Sequence, residues 1–468
     1  MPGRIPQNDN SPLPRFPGED GTTRLKQSNF RNNKQDQLQD HRTLRMQDFT
    51  GLPKERLEQC KAELEQTYAE YKARNLKLDM SRGKPSGRQL DLTNGILDKL
   101  DKYMTEDGID ARNYGGLEGI PEARRLFSEL LGIPVEKIII GGNSSLNLMY
   151  DAIVRLLLFG TQGHTPWSKV PGGVTFLCPS PGYDRHFSVC EDLGIRMIPV
   201  PMTPTGPDMD LVEKLAAEDK SVKGIWCVPL YSNPQGICYS DETVDRLASM
   251  KTAAADFRIF WDNAYGVHHI FRERKLKDIF SACEAAGNPD RVIYFFSTSK
   301  ITFPGAGVAL LASSPANVAE IKKHMGMQTI GHDKLNQLRT VRYLKDAEGV
   351  RKHMKRLAEE LKPKFNIVLE TLDRELKGSG LAEWTHPDGG YFIAIDTLPG
   401  CAKATVALAK EAGVVLTGAG ATFPYKKDPL DRNIRIAPTY PTLDELKTAI
   451  ELFCVCVKLA GTRKLLEK

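Results

Sequence analysis

The stretch Val292-Ile293-Tyr294-Phe295-Phe296-Ser297-Thr298-Ser299-Lys300 sets five apolar residues against three hydroxyls and a lysine. An unbroken apolar run rich in β-branched and aromatic side chains predicts a strand buried on both faces, and such strands belong to parallel sheets covered by helices. In open α/β sheets ligands bind beyond the strand ends. The run therefore predicts a fold and also delivers a lysine to the edge where chemistry occurs. Burial disfavours a charged amine, so Lys300 is expected to titrate low enough to attack a carbonyl carbon. An exposed loop lysine is the plain alternative.

The same punctuation recurs on both sides. Apolar segments at 137–140, 174–178, 196–200, 224–228, 258–261, 292–296 and 308–312 alternate with amphipathic helical patterns. This predicts an α/β domain with a mostly parallel sheet of six or seven strands. After Gly331 a long charged helical stretch runs to about Lys377 and leads into apolar segments at 390–395 and 433–437, a smaller α+β unit. Upstream, helical periodicity starts near Pro53 and carries Leu57, Leu64, Tyr68 and Tyr71 until Arg82-Gly83-Lys84-Pro85 breaks it. Residues 1–45 are rich in Pro, Gly, Asn, Gln and Arg, and are expected to form a disordered tail. The expected organisation is that tail, a segment at 46–90 contributing to a small domain, a large domain at 91–335 and a C-terminal small domain at 336–468.

A length of 468 residues exceeds what one hydrophobic core sustains, which favours two domains. The formal net charge of +5 is small for this length and gives nucleic-acid binding little support. Nine scattered cysteines without a CxxC pair point to a reducing, cytoplasmic setting, and no metal site is expected. Apolar runs such as 153–159 are too short to span a membrane, and the N-terminus lacks the apolar core of a signal peptide.

Further clusters fall at other strand ends. Trp261-Asp262-Asn263-Ala264-Tyr265 closes the segment at 258–261 and brings a carboxylate to the lysine's edge of the sheet. Pyridoxal phosphate (PLP) needs that pair. The amine holds its aldehyde, and the carboxylate keeps the pyridine nitrogen protonated so that the ring acts as an electron sink. Alone, Asp262 would serve equally as an N-cap. Tyr265 can donate to the cofactor's phenolic oxygen or serve as a core tyrosine. The turn around Asn233-Pro234 follows 224–228 and can face its amide to the ring, and Pro179-Ser180-Pro181-Gly182-Tyr183 offers an aromatic for stacking. Gly141-Gly142-Asn143-Ser144-Ser145 opens a helix near Leu146, where amides and hydroxyls converge as a phosphate requires; N-capping by Ser144 is the alternative. Arg435, inside the apolar run Asn433-Ile434-Arg435-Ile436-Ala437, needs a carboxylate, either a substrate's or a structural one.

In their order along the chain these motifs resemble those of the class I and II aminotransferases of PLP fold type I. The resemblance covers about residues 75–460 and rests on Asn113-Tyr114-Gly115-Gly116 with Gly119, the turn at 142–145, Tyr183, Asn233-Pro234, Asp262 with Tyr265, 297–300 and Arg435. It is strongest to the aspartate-aminotransferase-like subgroup related to the catalytic domain of MocR regulators, in GGNSSLNLMYD (141–151), YSNPQG (231–236), SKITFPGAGVA (299–309) and HPDGGYF (386–392). It implies a large domain with a mostly parallel seven-stranded sheet, a smaller α+β domain and a homodimer. It also implies Lys300 as the Schiff-base lysine that later shuttles a proton, Asp262 on the pyridinium, and Asn233 and Tyr265 on the phenolic oxygen. Tyr183 would stack on the ring, and Ser144, Ser145, Ser297 and Ser299 would share the phosphate. Arg435, with Asn233 and Gly83, would hold the substrate carboxylate, and Tyr114 would come from the second subunit.

One departure is Val308, where many relatives carry a phosphate-binding arginine. Arg82, Arg88 and Arg185 are candidates to read an acidic side chain. The implied activity is ping-pong transfer of an amino group from an L-amino acid, aspartate by best match, to a 2-oxo acid, 2-oxoglutarate by best match. A decarboxylase or lyase on the same fold is one rival. A PLP-sensing regulator is another, for which the residues before 45 are too few and too polar to supply a DNA-binding module.

Overall fold

The apolar segments become the strands of an eight-stranded sheet in the structure, a computed structural model that describes residues 47–467. The expected tail at 1–45 lies outside the described residues. The strands are β1 (Ile138–Ile140), β2 (Thr175–Ser180), β3 (Arg196–Thr203), β4 (Gly206–Pro207), β5 (Val222–Cys227), β6 (Arg258–Asp262), β7 (Val292–Ser297) and β8 (Ala309–Ser313), and their spatial order is β1-β8-β7-β6-β5-β2-β3-β4. Strands β7, β6, β5, β2 and β3 pair in parallel. Strand β8 runs antiparallel between β7 and β1, and β4 folds back antiparallel on β3. The eighth strand corrects the expected six or seven: β4 is only Gly206 and Pro207, residues that signal a turn.

Because β8 reverses between them, β1 and β7 point the same way, and the C-terminal ends of β1, β2, β5, β6 and β7 share one edge. Strand alternation then decides which face each side chain reaches. Ile259, Trp261, Tyr294 and Phe296 enter one apolar layer. Phe260, Ile293 and Phe295 enter the other, against Leu148 and Met149 of the helix Ser145–Phe159 and Phe187 and Val189 of the helix Asp184–Asp192. Asp262 and Ser297 continue this second series, so they emerge beneath those two helices.

A second sheet is antiparallel, with β9 (Ala382–Trp384), β10 (Ile393–Thr397) and β11 (Asn433–Ile436) in sequential order. The helices Lys54–Ala73 and Ala347–Leu376 both pack on the C-terminal helix Leu443–Leu466. The long helical stretch expected after Gly331 is two helices, Lys334–Leu344 and Ala347–Leu376. Lys345 adopts φ 69° between them, and Asp346 caps the second by accepting from the Gly349 amide. Leu78–Asp79 pairs in parallel with Val414–Val415, joining segments far apart in sequence. None of the nine cysteines forms a disulfide, and among the described residues no helix is long and apolar enough to cross a membrane.

Candidate active site

Lys300 follows β7 in a loop braced from below. The Thr298 amide donates to the Val308 carbonyl at 2.8 Å, and the Val308 amide donates to Thr298 Oγ1 at 2.9 Å. The brace presents Lys300 Nζ 5.0 Å from the centre of the Tyr265 ring and 6.0 Å from that of Tyr391. Burial holds the Lys300 amine below the ordinary lysine range, and the Asp262 carboxylate pulls in the opposite direction. His268 Nε2 lies 3.3 Å from the Lys300 carbonyl oxygen. Burial first, and the Lys300 charge second, push its imidazole down to about 3, so it stays neutral beside the amine.

Asp262 is buried, with Oδ2 3.0 Å from His186 Nε2. The His186 ring stacks on Trp226 at 4.2 Å, and Tyr183 meets it edge-on at 4.9 Å. The other oxygen, Asp262 Oδ1, is buried without a hydrogen-bond partner among the described residues. An orphaned carboxylate oxygen in the interior is costly. A protonated pyridine nitrogen is the donor that would satisfy it, so the pair Lys300 and Asp262 fits PLP.

The two hydroxyl-bearing clusters converge. The Gly141 amide donates to the Ala309 carbonyl and the Ala309 amide to the Gly142 carbonyl, each at 2.8 Å, which pins the turn at 141–145 to β8. Ser297 Oγ donates to Ser299 Oγ at 3.1 Å, and Ser299 Oγ to the Asn143 carbonyl at 3.4 Å. Ser144 holds the N-cap position of the helix Ser145–Phe159, yet its side chain makes no capping bond. Simple capping is thus not its role, and the group of hydroxyls and helix-end amides has the chemistry of an anion site. Val308 is buried and apolar, which leaves this group as the phosphate-compatible feature there.

Arg435 meets a structural carboxylate with one part of its guanidinium and leaves another part unpaired. Its Nη1 donates to Asp184 Oδ1 at 2.9 Å and Asn233 Oδ1 at 3.2 Å, and its Nη2 to Thr417 Oγ1 at 3.1 Å. Nε is buried without a partner among the described residues, and the guanidinium lies 4.7 Å over the Phe392 ring. Gly83 backs the same ring so closely that a Cβ there would stand 2.3 Å from Phe392 Cζ. The turn that delivers Tyr391 and Phe392 is tied to the loop after Tyr265: the Gly390 amide donates to the His268 carbonyl at 2.9 Å, and a Cβ on Gly389 would meet that oxygen at 2.2 Å.

The structure thus brings together Lys300, Asp262, Tyr265, Tyr183, Asn233 and Arg435, links Ser297 and Ser299 to Asn143 just before Ser144 and Ser145, and sets Gly83 against Phe392. Tyr114 stays apart, 80% exposed. Arg88 pairs with Glu360 at 3.3 Å, while Arg82 and Arg185 are exposed. Sequence reasoning missed His186, Trp226, His268 and the role of Asp184. Only His186 had a usable signal: it sits one helical turn after Tyr183, on the same side of the helix.

An amine of lowered basicity in one cluster with an unsatisfied carboxylate, on a sheet of this order, fits the class of fold type I PLP-dependent enzymes. The chain belongs to the aspartate aminotransferase family, whose model matches residues 52–468. It is 53% identical over 411 residues to a relative from Mycolicibacterium smegmatis, covering 86% of this chain and 96% of that one. It is 47% identical over 420 residues to the aspartate aminotransferase of Corynebacterium glutamicum, covering 89% and 96%. The solved structure of an aspartate transaminase from the same organism superposes with a TM-score of 0.87 at 46% identity, covering 90% of this chain and all (100%) of that one.

Proposed function

We propose that this aminotransferase takes the amino group from L-aspartate and gives it to 2-oxoglutarate, with PLP as its resident cofactor. The observation that carries the reading is the unpaired Oδ1 of buried Asp262 in the same cluster as the Lys300 amine, whose basicity burial lowers. The likeness to an aspartate aminotransferase over most of the chain supports aspartate as donor.

When bound, PLP supplies a carbonyl for the amino group and a ring that accepts the electron pair left as Cα loses its proton. Lys300 would hold the cofactor at rest. Once released, its amine of lowered basicity would take the Cα proton and return it on the other side of the transfer. Asp262 would keep a proton on the pyridine nitrogen, with His186 fixing the carboxylate's orientation. Asn233 and Tyr265 would serve the phenolic oxygen, and Tyr183 would pack on the ring. Ser144, Ser145, Ser297 and Ser299, with the helix terminus, would hold the phosphate. Arg435, flanked by Asn233 and the space kept by Gly83, would bind the substrate carboxylate. The same reading includes a small domain built from 46–90 and 336–468, a large domain at 91–335, a cytoplasmic location, and a homodimer in which each exposed Tyr114 completes the other subunit's site.

The test is a titration of the PLP-loaded protein with single amino acids, followed by its visible absorbance. Aspartate should discharge the band and 2-oxoglutarate should restore it, the signature of a ping-pong cycle. Indifference to aspartate with a response to an aromatic donor would reassign the substrate. Loss of the substrate carboxylate as carbon dioxide would favour the decarboxylase reading.

A further inference from the structure

We propose that the sheet face opposite the catalytic residues holds a second binding site, for an amphipathic organic anion with an apolar, ring-sized body. This goes beyond the proposed function and does not depend on it.

A cleft of about 610 Å³ lies on that face, within the ~300–1,000 Å³ typical of small-molecule sites. Strand alternation explains its location: Trp261 turns away from Asp262 and forms the floor together with Tyr294. Leu131, Ile133, Ile279 and Met354 supply apolar walls. The floor also carries Asn263, whose Nδ2 donates to the Tyr294 hydroxyl at 2.6 Å while its buried Oδ1 lacks a partner among the described residues. A ligand N–H reaching the floor would find an acceptor there.

The mouth has the opposite character. Arg274, Lys275, Lys277, Arg351 and Lys355 outnumber Glu273 and Asp278 around it. Asp278 is engaged as a helix cap, accepting from the Phe280 and Ser281 amides. Arg274 pairs with Asp388 and Lys277 with Asp245, both at 2.6 Å. Lys275 and Lys355 have no acidic partner within 4.0 Å among the described residues, so their charge is not neutralised locally. Unpaired ammonium groups at the mouth of a cleft with apolar inner walls match a ligand that places a carboxylate at the mouth and an apolar body against those walls.

Isothermal titration of the PLP-loaded full chain with indole-3-propionate, and with its neutral amide, tests the site. The expected result is one site per chain, with the acid bound at least tenfold more tightly than the amide. The double variant K275E/K355E should weaken the acid at least tenfold, Ala358→Trp should fill the cleft and abolish binding, and Arg435→Lys should leave the affinity unchanged. If Ala358→Trp fails to fold, the exposed lysine pair decides alone. No binding, equal affinity for acid and amide, indifference to the lysine reversal, or loss in Arg435→Lys would each overturn the proposal.

Discussion

His186 Nε2 lies 3.0 Å from Asp262 Oδ2, and the same imidazole is clamped on Trp226 at 4.2 Å with 7° between the planes. The stack fixes the imidazole, the imidazole fixes one carboxylate oxygen, and the other oxygen is left free. A residue 76 positions upstream in sequence thereby sets the orientation of the group that would hold the cofactor's ring nitrogen.

Replacing His186 by Phe keeps the stack and deletes the bond. A hydrogen bond to a charged group contributes about 1.5–3 kcal/mol, so the affinity of the apoprotein for PLP should fall roughly ten- to a hundredfold. Reconstitution followed by absorbance measures it. Unchanged affinity would mean that Asp262 is oriented without His186.

Asp262→Asn retains the shape and removes the charge that favours a protonated pyridine nitrogen. Turnover should drop by about two to three orders of magnitude, as when a preorganised electrostatic group is lost, while the protein still binds PLP. Steady-state rates on the reconstituted variant check this, and near-normal turnover would remove Asp262 from the reaction.

Gly83→Ala would force a Cβ into a contact of 2.3 Å with Phe392 Cζ, whose ring supports the Arg435 guanidinium. Overpacking costs about 1–3 kcal/mol. The effect should appear as a KM for the amino acid raised about tenfold with PLP affinity unchanged. A KM within twofold of the parent would show that Phe392 does not position Arg435.

His268 titrates near 3 in the folded chain against an ordinary 6.5. Between those values the unfolded chain takes up a proton that the folded chain refuses. Its contribution to stability is therefore full above 6.5 and declines as pH falls from 6.5 toward 3, by about 1.4 kcal/mol per pH unit. His268→Gln should lose less stability than the parent between pH 6.5 and 4.5, by about 2 kcal/mol in urea unfolding. Parallel pH dependences would contradict the burial assigned to the imidazole.

Much of the fold is legible in sequence because parallel strands are buried on both faces and leave unbroken apolar runs: 292–296 and 258–261 become β7 and β6 almost residue for residue. The direction of β8 is not legible, since its apolar run reads the same whichever way it pairs. Nor is β4, which has two residues and turn composition. In the site, Lys300, Asp262 and Ser297 stood out because chemistry follows directly on an apolar strand. Contacts made across the fold carry no such mark. Asp184 meeting Arg435 and His186 meeting Asp262 join residues 251 and 76 positions apart, and periodicity within either partner says nothing of the other. HPDGGYF was visible as a motif, but the need for Gly389 to pass against the His268 carbonyl emerges only when the two loops are side by side.

One lysine, Lys300, is proposed to carry the cofactor. Borohydride reduction of the PLP-loaded protein followed by peptide mass mapping tests it most directly. A single phosphopyridoxyl group is expected on the peptide containing Lys300 and none on that peptide in Lys300→Ala, with turnover abolished in the variant. A label on another lysine, or full turnover after the replacement, would contradict it.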